Sequence, residues 1–210
     1  MIAQTHRVSH SIPLFGITLL IALAMVTLAD SPGVAGTPAG SGGNAKALAA
    51  PATAPSVLKY GVGKPDGKRS LGGSGEMIRF TLPEKQNAVV GIRIHGSRYG
   101  TPQPPKEDFL VYILSEDRTQ ILHTESFPYK LFERGDEKWV TVSFKSPAAA
   151  SGTFWVAVDF RARQTKGVYV SFDTSTGGKY SKAGLPGTEA ADVTFGGDWM
   201  IQALVGNAGN

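Results

Sequence analysis

The sequence predicts an all-β fold: an antiparallel β-sandwich, preceded by an N-terminal hydrophobic helix and a disordered linker. Short segments that carry an apolar residue at every second position recur through the later part of the chain, as half-buried strands do. Gly and Pro are frequent, at 26 and 13 of 210 residues, which favours turns over long helices. After residue 29 no run of ten residues keeps an apolar stripe at helical spacing.

The composition excludes several classes of protein. The chain is 41% hydrophobic and 18% charged, which is typical of a folded globular protein. It contains no Cys, so disulfides, Cys-ligated zinc, thiol catalysis and a lipid-modified N-terminal cysteine are all excluded. The net charge is +4 and the basic residues are spread along the chain, so no nucleic-acid partner is expected.

Residues 1–30 have the pattern of an export signal. A weakly basic start is followed by 18 residues, 12–29, without a charged side chain. This run is also just long enough for a short membrane span. A cleaved signal peptide and an uncleaved membrane anchor therefore remain open, and membrane contact is expected only through this segment. Either way the rest of the chain is exported, to the periplasm, the cell surface or the extracellular space.

Residues 31–57 are predicted to be a disordered linker. Of the 26 residues 31–56, 22 are Ala, Gly, Pro, Ser or Thr, so the segment cannot bury a core. The folded domain is predicted over residues 58–206, which is long enough to bury its own core.

Eight strands are predicted in the domain, separated by Gly, Pro and Asp turns. In order they are residues 77–82, 88–95, 109–114, 120–125, 139–145, 153–161, 167–173 and 199–205. Segment 153–161 alternates most clearly, with Phe154, Val156, Val158 and Phe160 on one side. Together with the strands before and after it, we expect it to form the spine of an antiparallel β domain. Eight short strands with such loops are typical of a β-sandwich or jelly roll.

The sequence does not contain the residue spacings that motifs for phosphate binding, metal binding and nucleophilic catalysis require. The Gly-rich segment 61–68 has Val62 where a P-loop needs Gly, and no Gly-x-Ser-x-Gly elbow occurs. Only His95 and His123 follow the N-terminal segment, too few for a histidine metal site. Acidic pairs such as Glu116-Asp117 could supply ligands for a calcium site in a loop, but they lack the spacing of a known calcium motif. We therefore expect no cofactor, no assigned metal site and no catalytic residue.

The strongest candidate site is an outward sheet face that mixes aromatic and charged side chains. Alternation places on it Trp155, Asp159, Arg161, Tyr169, Asp173, Arg93 and His95. Aromatic rings stack on the C–H faces of sugars, and Asp and Arg can bond hydroxyl groups, so this mixture suits carbohydrate binding. A second candidate is the loop predicted over residues 95–102, which carries Arg98 and Tyr99.

Two alternatives stand beside the ligand face. Outward aromatic side chains can be covered by loops to form a satellite core, with the Arg and Asp side chains as cross-strand partners. Asp159 and Asp173 would instead form the acid pair of a glycoside hydrolase if both faced one cleft.

Three segments carry a resemblance to known proteins. Residues 154–160, 168–175 and 198–203 resemble β-sandwich accessory modules of exported bacterial proteins, of the galactose-binding-like and jelly-roll kind. The resemblance implies a non-catalytic domain and assigns no site residue. The leading hypothesis is an exported binding module for a polysaccharide or another envelope component, such as an envelope protein. The alternatives are a structural or protein-interaction domain without a small-molecule ligand, and a glycoside-type hydrolase.

Overall fold

The structure, a computed structural model, describes residues 54–208. The hydrophobic segment predicted over residues 1–30 and the linker up to residue 53 lie outside the described residues. Within residues 54–208 the chain is all-β, and short connections and two single-turn 3₁₀ helices, Tyr129–Leu131 and Thr174–Thr176, join its strands. No helix in this range is long and apolar enough to cross a bilayer.

The strands of this range are, in chain order, β1 (Ser56–Leu58), β2 (Gly67–Arg69), β3 (Glu76–Thr81), β4 (Ala88–Gly100), β5 (Asp108–Ser115), β6 (Ile121–Pro128), β7 (Lys138–Ala149), β8 (Thr153–Asp159), β9 (Lys166–Asp173), β10 (Ser181–Ala183), β11 (Ala191–Asp192), β12 (Asp198–Trp199) and β13 (Ile201–Gly206). One sheet has the order β1-β13-β4-β9-β12, with β7 paired to β4 and β2 paired to β9. The second has the order β11-β10-β3-β8-β5-β6. Both sheets pair antiparallel throughout.

The core lies between the two sheets. On β8 the predicted inward residues Phe154, Val156 and Val158 are fully buried, and they pack against apolar side chains of β4, β9 and β13 from the other sheet. One end of the core is aromatic, with the ring centroids of Phe109 and Phe160 5.1 Å apart. The predicted all-β sandwich of antiparallel sheets is confirmed, and the burial follows the period-two pattern of the sequence.

The strands of the 139–173 region do not belong to one sheet, as the predicted outward face requires. β8 pairs with β3 and β5 in the six-stranded sheet, whereas β7 pairs with β4, and β9 with β4, β2 and β12, in the seven-stranded sheet. The chain crosses the sandwich before and after β8. Alternation specifies which residues face the core, but it does not specify the sheet to which a strand belongs.

Strand ends also differ from the prediction. β8 ends at Asp159 because its carboxylate accepts the backbone N–H of Arg161 at 2.7 Å and Arg161 has a φ of 45°. β4 runs on to Gly100, so the predicted 95–102 loop is mostly strand. β1 begins at Ser56, so the last two residues of the predicted linker are in a strand.

Candidate functional site

The predicted outward face does not form as one surface, because its residues are divided between the two sheets. Trp155 lies on the outer side of the six-stranded sheet, while Tyr169 lies on the outer side of the seven-stranded sheet. Aromatic side chains from the two strands therefore cannot bind the same ligand.

Trp155 is only 6% exposed. It packs with Met77, Leu114 and Ala157 into a small apolar cluster outside the main core. Its indole N–H donates to the carbonyl of Glu116 at 3.0 Å, which leaves the indole no free donor. This is the arrangement of a satellite core, in which a covered aromatic side chain stabilises the fold.

The two predicted carboxylates are also far apart in the fold. Asp159 ends β8 and caps the turn at Arg161, on the six-stranded sheet. Asp173 ends β9 on the other sheet and is 2% exposed. Asp173 accepts the backbone N–H of Gly63 at 2.8 Å and of Ser175 at 2.9 Å. Burial raises the pKa of Asp173, but these hydrogen bonds outweigh it and hold that pKa below the usual value.

Arg98 faces the interior rather than solvent. It pairs with the inward-facing Val168, and its guanidinium donates to the carbonyls of Thr101, at 2.7 Å, and Pro102. Its role in the structure is to hold the chain that leaves β4.

Four predicted residues do share one surface, the outer side of the seven-stranded sheet. This surface, called the β4–β9 face below, carries Arg93, His95, Trp139, Tyr169 and Gln202 on β4, β7, β9 and β13. Tyr99 extends it, with its ring centroid 4.5 Å from that of Tyr169. Tyr99 lies directly over Gly167, where any Cβ atom would collide with the phenol ring.

Trp139 lies at the middle of the polar part of this face. Its ring centroid is 5.2 Å from that of His95 and 5.1 Å from the guanidinium carbon of Arg93. Arg93 also donates to the side-chain carbonyl of Gln202 at 3.2 Å. These contacts hold the partly exposed indole in place, since a cation over an aromatic ring is attracted by its quadrupole.

His95 is a hydrogen-bonding group whose surroundings favour the neutral imidazole. Partial burial lowers the pKa of His95, and the negative charge of Glu137 offsets only part of that effect. Its Nδ1 atom lies 2.8 Å from the hydroxyl oxygen of Ser171, which is buried. Next to them, Glu137 is paired with Lys68 and accepts the Ser97 hydroxyl at 2.9 Å.

Two pockets have Trp139 in their lining. The first, called the Lys59 pocket, measures about 220 Å³ and is lined by Lys59, Tyr60, Gly63, Trp139, Met200, Ile201 and Gln202. The second, called the Leu131 pocket, measures about 320 Å³ and is lined by Gly96, Leu131, Glu133, Asp136, Lys138, Trp139, Val140 and Thr141. Trp139 belongs to the lining of both pockets.

A wider cavity, of about 650 Å³, lies elsewhere. It sits at one end of the sandwich, where Asn87, Glu116, Leu122 and Thr153 are among the lining residues. Its lining holds no aromatic ring and no cation within the described residues. It therefore offers a ligand neither an aromatic surface nor a cation, whereas the β4–β9 face offers both.

Sequence reasoning overlooked Trp139, Gln202, Glu137 and Lys68 as site residues. The alternation of residues 139–145 places Trp139 outward with Thr141 and Ser143, so the signal was present. No signal pointed to Lys68, because it lies on the three-residue strand β2 in a Gly-rich segment. Among residues 54–208, no group of three His, Asp or Glu side chains is placed to hold a metal ion.

Comparison with known proteins gives structural matches only. No protein-family model matches the chain, and no curated protein is significantly similar in sequence. One similar solved structure is that of the clostridial cysteine protease Cwp84 after propeptide cleavage, with a TM-score of 0.51 and 12% identity. The match covers 76% of this chain and 42% of that one.

A second structure contains the cysteine protease and lectin-like domains of Cwp84, a surface layer associated protein of Clostridium difficile. It has a TM-score of 0.44 and 12% identity, over 64% of this chain and 32% of that one. The chain thus spans less than half the length of the structures it matches. The first match supports the sandwich fold and, at this identity, nothing beyond the fold.

Proposed function

We propose that the domain is a non-catalytic binding module of an exported protein, and that it binds a polysaccharide across the β4–β9 face. The observation that carries the proposal is the position of the Trp139 indole. The indole is partly exposed and is held between Arg93 and His95, with a pocket on each side.

The chemistry of the face suits a sugar chain. An indole offers an apolar surface for the C–H side of a sugar ring, and Gln202, Arg93 and Thr141 supply polar groups for hydroxyls beside it. The volumes of both pockets, about 220 and 320 Å³, are near or below the range of about 300–1,000 Å³ that is typical of small-molecule sites. An extended ligand lying over Trp139 would use both.

The fold and the composition support an accessory role. We assign the sandwich to the jelly-roll or galactose-binding-like kind, with residues 1–30 directing export to the periplasm, cell surface or extracellular space. The structural match at a TM-score of 0.51 is a cysteine protease, but this chain contains no Cys and thus no thiol nucleophile. Asp159 and Asp173 lie on different sheets, so they offer no acid pair for glycoside hydrolysis.

One observation favours a protein-interaction domain as the second candidate. β6 is an edge strand of the six-stranded sheet, and its Ile121 and Leu122 are 54% and 38% exposed. An exposed apolar edge strand is a surface on which another chain can pair.

The test is binding of the purified protein to a panel of polysaccharides by affinity electrophoresis, with Trp139→Ala beside the parent protein. We expect at least one polysaccharide to retard the parent, and Trp139→Ala to weaken that binding about tenfold, or about 1.4 kcal/mol. Leu122→Ala is the control, since it removes an exposed apolar side chain from the other sheet. Retardation that Leu122→Ala abolishes and Trp139→Ala leaves intact would refute the proposed face.

A further inference from the structure

We propose that the polysaccharide is acidic, and that its anionic group binds beside Gln202, which lines the Lys59 pocket together with Lys59 and accepts a hydrogen bond from Arg93. This inference rests on the proposed function and adds the charge of the ligand and the place where that charge binds.

The Arg93 guanidinium has N–H donors without a partner in the described residues, and such donors suit an anionic ligand. Its guanidinium contacts the Trp139 ring and donates to Gln202. Among the ion pairs formed by residues 54–208, none includes Arg93. A guanidinium has five N–H donors, so most of them remain available on a partly exposed side chain.

The charges around the Lys59 pocket favour an anion. Lys59 adds a second cation next to Gln202, the hydrogen-bond partner of Arg93. Within the described part of the chain, no Asp or Glu lines this pocket. Asp173 lies beneath the adjoining loop, but it is buried and its oxygens accept N–H groups of Gly63 and Ser175. That leaves the cations as the accessible charges.

The Leu131 pocket has the opposite character. It carries Glu133 and Asp136 with Lys138, and the Lys138 ammonium already lies 2.6 Å from the Glu133 carboxylate. An acidic group would be repelled there and attracted on the other side of Trp139. The charges on the two sides of Trp139 would therefore orient the ligand, with a sugar ring on Trp139 and the acidic group toward Gln202.

Arg binds carboxylate and phosphate groups in a planar, often bidentate geometry. Both groups occur on polysaccharides, as uronic acids and as phosphodiesters, and both present planar or forked oxygens to a guanidinium. The shared chemistry is an anionic oxygen pair on a sugar, and the probes below separate the two sources.

The experiment measures binding of the purified protein to four probes: polygalacturonate, its carboxyl-reduced neutral form, a phosphodiester-linked glycan and polyglutamate. We expect one acidic glycan to bind at least tenfold tighter than the neutral polymer, and added salt to weaken it. Arg93→Gln should remove most of that preference, and Lys59→Gln, at an exposed position, should reduce it a few-fold. Arg79→Gln, whose guanidinium lies over Trp155 on the other sheet, is the matched control and should change nothing.

The outcomes separate this inference from the proposed function. Equal binding of neutral and acidic polymers, weakened by Trp139→Ala but unchanged by Arg93→Gln and Lys59→Gln, would overturn the inference alone. Binding of polyglutamate as tight as that of the acidic glycans, unaffected by Trp139→Ala, would overturn both. If Arg93→Gln lowers the melting temperature, the exposed Lys59→Gln variant decides the result.

Discussion

Replacing Glu76 with Gln should stabilise the protein at neutral and alkaline pH. Glu76 is the first residue of β3 and is 1% exposed, in phase with the core residues Ile78 and Phe80. One carboxylate oxygen accepts the backbone N–H of Leu71 at 3.3 Å. The other is buried and has no hydrogen-bond partner among residues 54–208. A charge at this position is therefore poorly compensated.

The size of the effect follows from the pKa of Glu76. Burial raises it from 4.5 to about 8, despite the opposing backbone hydrogen bonds, and the nearby charge of Asp159 adds to the rise. Between these pH values the folded protein keeps a proton that the unfolded chain releases. The contribution of Glu76 to stability is thus greatest below pH 4.5 and falls by about 1.4 kcal/mol per pH unit up to about pH 8. At pH 7 the loss is about 3 kcal/mol.

Gln cannot ionise, so the variant should not show this loss. Urea unfolding of both proteins at pH 5, 6, 7 and 8 measures the difference between their free energies of unfolding. The pH dependence that comes from titratable groups present in both proteins cancels in this difference. The difference should grow in favour of Glu76→Gln, to about 3 kcal/mol at pH 7. Glu84→Gln, at an exposed turn residue, is the control and should give a flat difference. A flat difference for Glu76→Gln as well would show that Glu76 is ionised in the folded protein, and the reasoning from burial would fail.

Two further predictions concern positions that the fold constrains. Trp155→Ala should lower the free energy of unfolding by about 3–5 kcal/mol, the usual cost of truncating a buried aromatic side chain, and leave polysaccharide binding by the folded fraction unchanged. An equally stable variant would contradict the satellite core. Gly100→Ala should destabilise by at least about 1–3 kcal/mol, because φ is +93° and a Cβ atom would lie 1.9 Å from the Thr165 carbonyl oxygen. Gly135→Ala has a similar φ of +103° and no neighbour within 4 Å, so thermal melts should show a smaller loss for it.

The strand residues that face the core could be predicted from the sequence, because burial on one side of a sheet imposes a period of two. The eight predicted strands all overlap observed ones, and Phe154, Val156 and Val158 are buried as expected. Strands of two or three residues, such as β2 and β10, were not predicted. Such short segments carry no readable periodicity, and they exist because a longer neighbour offers its backbone for pairing.

The candidate site could be predicted only in part. Alternation placed Arg93, His95 and Tyr169 on an outer surface, and they are on one. It also grouped Trp155 with them, although Trp155 is on the other sheet and covered. The outward phase of a side chain is a local property, whereas its neighbours depend on strand pairing.

Composition and a period of two are local properties of the chain, so they were enough to predict the class of fold and the faces of the long strands, and to exclude thiol chemistry. The division of β7, β8 and β9 between two sheets became visible only in the folded structure, and so did the exposure of Trp139 and the burial of Trp155. Which strands pair depends on contacts between residues distant in the chain, such as Gly96 with Val170 or Arg93 with Gln202, and no local pattern encodes these partners.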